Sequence, residues 1–464
     1  MRHLAAVFAT VALLAGAVAL PPARAGEHPD PASLPNLTDA HYHLRGVGER
    51  ELTLNLAPVR SLGELQATLR AWAAAHPDAE WITGRGWIET HFDPPVFPTR
   101  RDIDAAVPDR PVYLTRADGH AGIANSRALE LAGINRDTEP PFGGEILRDA
   151  EGVPTGMLID RAQALVRRHI ANGGHPDMKE ALRVGGEVAA RRGWTTLHTI
   201  ADRWEEVEAL RELYREERMP VRNYVAVRWP GKGAEYLLDN GPIIGEFDGR
   251  LTIRAIKINM DGALGSRGAA LLEPYHDDPG NTGLLVHTPE ELRPVLERAL
   301  RSGIQVWTHA IGDCANRLVL DLYEEAFAKV PEADRAVAEP RWRIEHAQHL
   351  AAEDLPRFAQ LGVIASMQPS HAIGDLHFAP RRLGLERLRF AYAWRSLLDS
   401  GALVIGGSDA PVEVGDPRIE FHAATRRTDL EGYSGEGWHP DQAVTWDEAV
   451  KMFTLWPAYA AFEE

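Results

Sequence analysis

His41 and His43 stand two apart in LTDAHYHL, residues 37–44. In an extended strand, residues i and i+2 share a face. The two imidazoles would therefore converge while Tyr42 points away. Such a pair can ligate a divalent metal, but two neutral imidazoles alone hold one weakly and are as compatible with surface histidines. Further donors are needed. Four polar residues in apolar runs supply them: Lys257 in LTIRAIKINM, His309 in IQVWTHA, His346 in WRIEHAQ and Asp409 in ALVIGGSDAP. Taken singly, a strand histidine is more often a hydrogen-bonded core residue, and Asp409 could form a turn. Lys257 is the odd one, because burying an unpartnered ammonium is costly. Four imidazoles and a carboxylate brought to one rim would suit a borderline divalent ion such as Zn²⁺.

The elements that must carry them alternate in type. Short β-branched runs at 195–200, 221–229, 251–260, 304–310, 342–348, 362–369 and 402–411 are separated by amphipathic stretches. PEELRPVLERALRSG, 289–303, opens with Pro at a helix start and closes with Gly at its end. With PNLTDAHYH, 35–43, the strands number eight, the count of a (β/α)₈ barrel, whose reactive groups sit at the C-terminal strand ends. An open doubly wound sheet is the alternative, but there is no glycine-rich dinucleotide or phosphate loop. The interval of roughly 45–190 far exceeds a βα loop. It is expected to form an inserted subdomain that shapes a substrate pocket over the barrel.

Residues 1–25 read as a secretory signal peptide: Arg2 and His3, an apolar run from Leu4 to Leu20, and Ala23 and Ala25 at a small-x-small cleavage site. The barrel domain then occupies 26–464, secreted or periplasmic, with no membrane association after cleavage. The formal charge of −17 becomes −19 once Arg2 and Arg24 are removed, which argues against a nucleic-acid partner. Cys314 is the only cysteine, so no intramolecular disulfide can form.

Eight ordered motifs, DAHYHL, GRGWIET, DGHAGIANSRALELAGI, IKINMDGALGSRGAALLEPY, THAIGD, IEHAQ, SMQPSHA and GGSDAPV, resemble the amidohydrolase superfamily of metal-dependent hydrolases. The likeness is to amidohydrolase family 3, in its N-substituted formamide deformylase-like branch, and runs from about Leu37 to the C-terminus. It implies metal ligation by His41, His43, His309, His346 and Asp409, with Asp409 also the general base. It further implies that Lys257 carries a carboxylate by reaction with CO₂ and bridges two metals, one or two zinc ions in all. His120, Arg267 and His371 are the implied substrate contacts. Asp39 is expected to orient an imidazole, His349 to cap or face solvent, and Trp87 either to pack the insert or to line the pocket.

The reaction implied is hydrolysis of a carbon–nitrogen, amide-type bond of a small molecule by metal-activated water. An esterase or lactonase with the same site is the competing enzyme reading. A barrel that binds without turnover is a third, disfavoured because all six ligand positions are kept. Relatives usually carry a small β-sandwich built from segments flanking the barrel. Here both segments are expected to be absent or truncated, and a homodimer interface is one way to cover the apolar surface this leaves.

Overall fold

The computed structural model describes residues 28–170, 176–435 and 438–464, so the signal peptide reading lies outside the described residues. Eight parallel strands follow one another around a barrel: β1 (Thr38–Tyr42), β2 (Thr196–Ala201), β3 (Arg222–Arg228), β4 (Leu251–Asn259), β5 (Gln305–Ala310), β6 (Arg343–His346), β7 (Ile364–Met367) and β8 (Val404–Gly406). A parallel bridge between Tyr42 and Ala410 closes the ring. There the His43 amide donates to Ala410 O at 2.8 Å and the Asp409 amide to His41 O at 2.7 Å. Closure thus brings the first and last strands' polar residues side by side. The eight strands match those read from the sequence.

Period-2 alternation sets what each strand presents. Along β5, Gln305, Trp307 and His309 take successive inward positions, while Val306 and Ala310 join the outer apolar layer with Ile256 and Ile258 of β4. Arg343 and Glu345 do the same on β6, both fully buried. The floor is plugged by the C-terminal segment: Gln305 Nε2 donates to Ala460 O at 2.8 Å, and Trp307 Nε1 to Gln305 Oε1 at 2.7 Å. His309 is left at the rim, paired in register with Glu345 on β6 and Asn259 on β4.

The outer helices form for local reasons. The helix Pro289–Ser302 starts on a capping box between Thr288 and Glu291 and ends at Gly303, φ 73°. Such a cap stabilises by roughly 0.5–2 kcal/mol. Its buried residues, Leu292, Val295, Leu296, Ala299 and Leu300, make one stripe facing the sheet.

Between β1 and β2 lies a second, six-stranded sheet in the order 54–55, 82–87, 112–116, 121–124, 154–160, 144–148. It has apolar clusters of its own, around Leu65, Leu69 and Trp87 and around Tyr113, Leu129 and Leu158. The ends of the 45–190 interval pack differently. Leu44 and Val47 of the helix Leu44–Leu52, and Leu182, Val188 and Ala189 of the helix Met178–Arg191, join the barrel's core. The two helices approach so closely that a Cβ on Gly48 would lie 1.8 Å from Ala181 O. Trp87 packs inside the insert, fully buried, with Nε1 donating to Leu114 O at 3.0 Å. No helix among the described residues is long and apolar enough to cross a membrane.

Candidate active site

The mouth of the barrel gathers imidazoles around one carboxylate. Nε2 of His41 and of His43 lie 3.5 and 3.0 Å from Asp409 Oδ1. That oxygen is buried and receives no well-directed hydrogen bond. On the other side, His371 Nε2 lies 3.6 Å from Asp409 Oδ2 and is itself buried without a hydrogen-bond partner. The donor atoms of His41, His43 and Asp409 fall within 4.8 Å of one another, as do those of His346, His371 and Asp409. The His309 and His346 rings are 4.5 Å apart, and His41 and His346 5.0 Å.

Charge states suit a cation. Burial pushes His43, His309 and His346 below the ordinary imidazole value and His371 down to about 4, so their nitrogens keep lone pairs at neutral pH. Burial alone would raise Asp409, but His41 and His43 hold it well below the usual carboxylate range. Neutral imidazoles crowding an ionised carboxylate without mutual hydrogen bonds form a donor set that fits a divalent metal. The backbone commits to this placement. His346 and Asp409 adopt φ of 76° and 56°, a left-handed region that side-chain-bearing residues seldom enter. Such strain persists where surrounding structure imposes it, often at functional sites.

Supporting contacts fix the imidazoles. His41 Nδ1 bonds Glu345 Oε2, which also accepts from Ser366 Oγ at 2.7 Å. His346 Nδ1 bonds Gln368 Oε1 at 2.7 Å. Nε2 is thereby left as the donor of both rings. Asp39, expected to orient an imidazole, instead holds backbone: it accepts from the His41 amide at 3.1 Å and the Ser408 amide at 2.9 Å. A side chain pointing back under the strand end meets amides before rings. Lys257 is 2% exposed and its Nζ makes no hydrogen bond or ion pair with a described residue. Burial lowers it to about 8 despite Glu345 and Asp409.

A cavity of about 800 Å³ opens over this cluster, lined by the barrel rim and the insert. His120 enters it from the insert. Its Nδ1 bonds Asp160 Oδ1 at 2.5 Å, and its ring lies 5.0 Å from that of His309. Burial would lower His120, but Asp160 outweighs it and raises the group to about 9. The turn carrying His120 is pinned by Arg116, whose Nε donates to Glu89 at 2.7 Å and whose guanidinium also pairs with Asp118. Asp160 fits against the loop after β4 because position 262 is glycine: a Cβ there would lie 2.4 Å from Asp160 Oδ2.

The other expected contacts fall elsewhere. Arg267 pairs with Asp277, Nη2 to Oδ2 at 2.9 Å, and does not line the cavity. His371 sits beside Asp409 rather than on the cavity wall. His349 does not face solvent. It is 3% exposed, edge-on to Tyr392, and burial lowers it to about 3.

Comparison with known proteins places this geometry. A model of the amidohydrolase family matches residues 33–464. The chain belongs to the amidohydrolase family.

This amidohydrolase is 34% identical to the putative amidohydrolase YtcJ of Bacillus subtilis, over 93% of its own length and 80% of that protein's. It is 29% identical to the N-substituted formamide deformylase of Arthrobacter pascens, over 92% and 79% of the two chains. It also superposes on the crystal structure of an uncharacterized metal-dependent hydrolase from Pyrococcus horikoshii with a TM-score of 0.70 and 27% identity, covering 92% and 81%. The amidohydrolase is thus an enzyme, a hydrolase acting on carbon–nitrogen bonds, with a His and Asp cluster suited to a divalent metal.

Sequence reasoning missed Glu345. Arg343 and Glu345 alternate on an otherwise buried strand, and a charge in such a strand demands a partner, which was the available signal. It also placed the amidohydrolase's His371 on the substrate rather than beside Asp409.

Proposed function

We propose that the chain is an exported, zinc-dependent amidohydrolase that cleaves a C–N amide-type bond of a small molecule, with N-formyl and N-acyl amines the leading candidates. The observation that carries this reading is the convergence of His41 and of the neutral imidazoles of His43, His346 and His371 on the ionised carboxylate of Asp409. Similarity to a formamide deformylase supports the choice of formamides. Export rests on the leader-like residues 1–25.

His41, His43, His309, His346 and Asp409 would hold the metal, and nitrogen and carboxylate donors suit Zn²⁺. When bound, the ion would supply Lewis acidity for the carbonyl and a lowered pKa for water. Lys257 is a buried amine lowered to about 8. Its lone pair can add to CO₂, forming an N–C bond and releasing a proton, which replaces an unpaired cation by an anionic donor. Asp409 takes the proton of the attacking water on a carboxylate oxygen and returns it to the leaving nitrogen. His120, oriented by Asp160, donates from Nε2 to the bound amide. The insert supplies part of the cavity wall.

The test is a hydrolysis screen with the Zn²⁺-loaded protein over N-formyl amines, N-acyl amines, cyclic amides, lactones and esters. Amide turnover is expected, and Asp409→Asn should lower kcat at least 10²-fold, the scale of lost acid–base catalysis, while circular dichroism stays unchanged. Turnover of lactones with none of amides would overturn the reading.

A further inference from the structure

The cavity's charge runs against that of the chain. The protein carries a formal −17, yet eight arginines and only six acidic residues line this space. Three of the arginines are neutralised: Arg45 by Asp202 and Glu206, Arg228 by Asp202, and Arg50 by Glu51. Arg85 and Arg167, on the insert, are not. Arg85, on the strand Ile82–Trp87, donates Nη2 to Ala117 O at 2.8 Å, while its Nε is buried without a partner. Arg167 makes no side-chain hydrogen bond or ion pair with any described residue. Arg161 rests on His287, Nη2 to Nδ1 at 3.0 Å, with Glu291 3.4 Å from that ring and within reach of the Arg161 charge.

Burial pushes Arg85 down from its ordinary value, and Arg167 adds to this. The acids whose charge reaches Arg85 are Asp409, Glu49 and Asp118. Each is committed elsewhere: Asp409 to the imidazole cluster, Glu49 to Arg45 at 3.3 Å, and Asp118 to Arg116. Arg85 is half-buried, with the exposed Arg167 within reach of its charge, and a half-buried guanidinium with no acid of its own is stabilised when an anion joins it. Nε is closed off and Nη2 is shared with Ala117 O, so Arg85 offers a carboxylate its remaining Nη hydrogens in a charge-assisted bond.

We propose that Arg85 and Arg167 form a carboxylate-binding subsite beside the metal cluster, so that the substrate is an amide bearing a free carboxylate, such as an N-formyl or N-acyl amino acid. The substrate class rests on the C–N hydrolase reading above; the anion subsite does not. Arg161 extends the same basic wall. Arg85 and the imidazole cluster line the same cavity, so a carboxylate on Arg85 and its neighbouring amide at the cluster share one space.

Two measurements test this and keep it separate from the reaction. Calorimetric titration of the Zn²⁺-loaded full chain with phenylacetate and with neutral 2-phenylethanol should show the carboxylate binding at least tenfold tighter. Arg85→Gln and the more exposed Arg167→Gln should each weaken phenylacetate at least tenfold, the scale of one charge-assisted hydrogen bond. A carboxylate held only by the metal would be indifferent to both substitutions, and unchanged affinity in both would overturn the subsite. In steady-state assays, N-formylphenylglycine should exceed N-formylbenzylamine in kcat/KM at least tenfold, and R85Q should remove that preference through KM. Preference for the neutral amide would overturn the substrate class. Hydrolysis of neither, with Arg85-dependent phenylacetate binding intact, would refute the amide-hydrolase reading and leave the anion subsite standing.

Discussion

Replacing Glu345 by glutamine isolates one link between the barrel's core and its metal cluster. Glu345 is fully buried; its Oε2 meets His41 Nδ1 and accepts from Ser366 Oγ at 2.7 Å. Burial would raise its carboxyl, but His41, Lys257 and Arg343 hold it below its ordinary value, so it is ionised. Glutamine keeps the shape and the Ser366 contact but turns a charge-assisted bond to His41 into a neutral one. Charge-assisted bonds are worth ~1.5–3 kcal/mol against ~0.5–1.5 for neutral ones, a difference near 1–2 kcal/mol. At about 1.4 kcal/mol per decade this predicts Zn²⁺ affinity weakened about 5- to 30-fold, and loss of ring orientation in Glu345→Ala should reach about 100-fold. Competition with a chromophoric chelator measures the affinity, and circular dichroism with thermal melting separates it from any loss of fold. Zn²⁺ binding within twofold of wild type in both variants, with the fold intact, would refute the role assigned to Glu345.

Two further outcomes concern the scaffold. Gly48→Ala and Gly185→Ala should each lower stability by about 1–3 kcal/mol, the cost of overpacking, because their Cβ atoms would stand 1.8 and 2.1 Å from backbone oxygens; an unchanged Tm in both would show that the helices part without cost. Asp375 accepts from Tyr392 Oη and Gln348 Nε2, both at 2.6 Å, and burial raises its carboxyl from 3.8 to about 7. The folded state therefore keeps a proton that the unfolded chain releases between about pH 4 and 7, so this group lowers stability as pH rises through that window. Asp375→Asn should raise Tm at pH 8 and leave it nearly unchanged at pH 4, whereas parallel Tm–pH curves for variant and wild type would contradict the buried neutral acid.

What the sequence determined by itself was local. Helix caps such as Thr288 with Glu291, β-branched strands, and the period-2 rule that puts His41 and His43 on one face all act over a few residues. They suffice for eight strands and for polar residues at their ends. The partners of those residues were decided only by closure of the barrel. His41 meets a glutamate 304 positions away, and Asp409 reaches His43 because β8 is stitched to β1. The left-handed turns at His346 and Asp409 then swing side chains away from the directions that strand alternation predicts. The same long-range geometry put Asp39 on backbone amides, turned Arg267 to Asp277, and brought His371 to the cluster. It also placed the insert's arginines over an acidic chain's active site. Side-chain chemistry is written residue by residue, whereas which charges neutralise one another depends on distances that exist only after the chain has closed on itself.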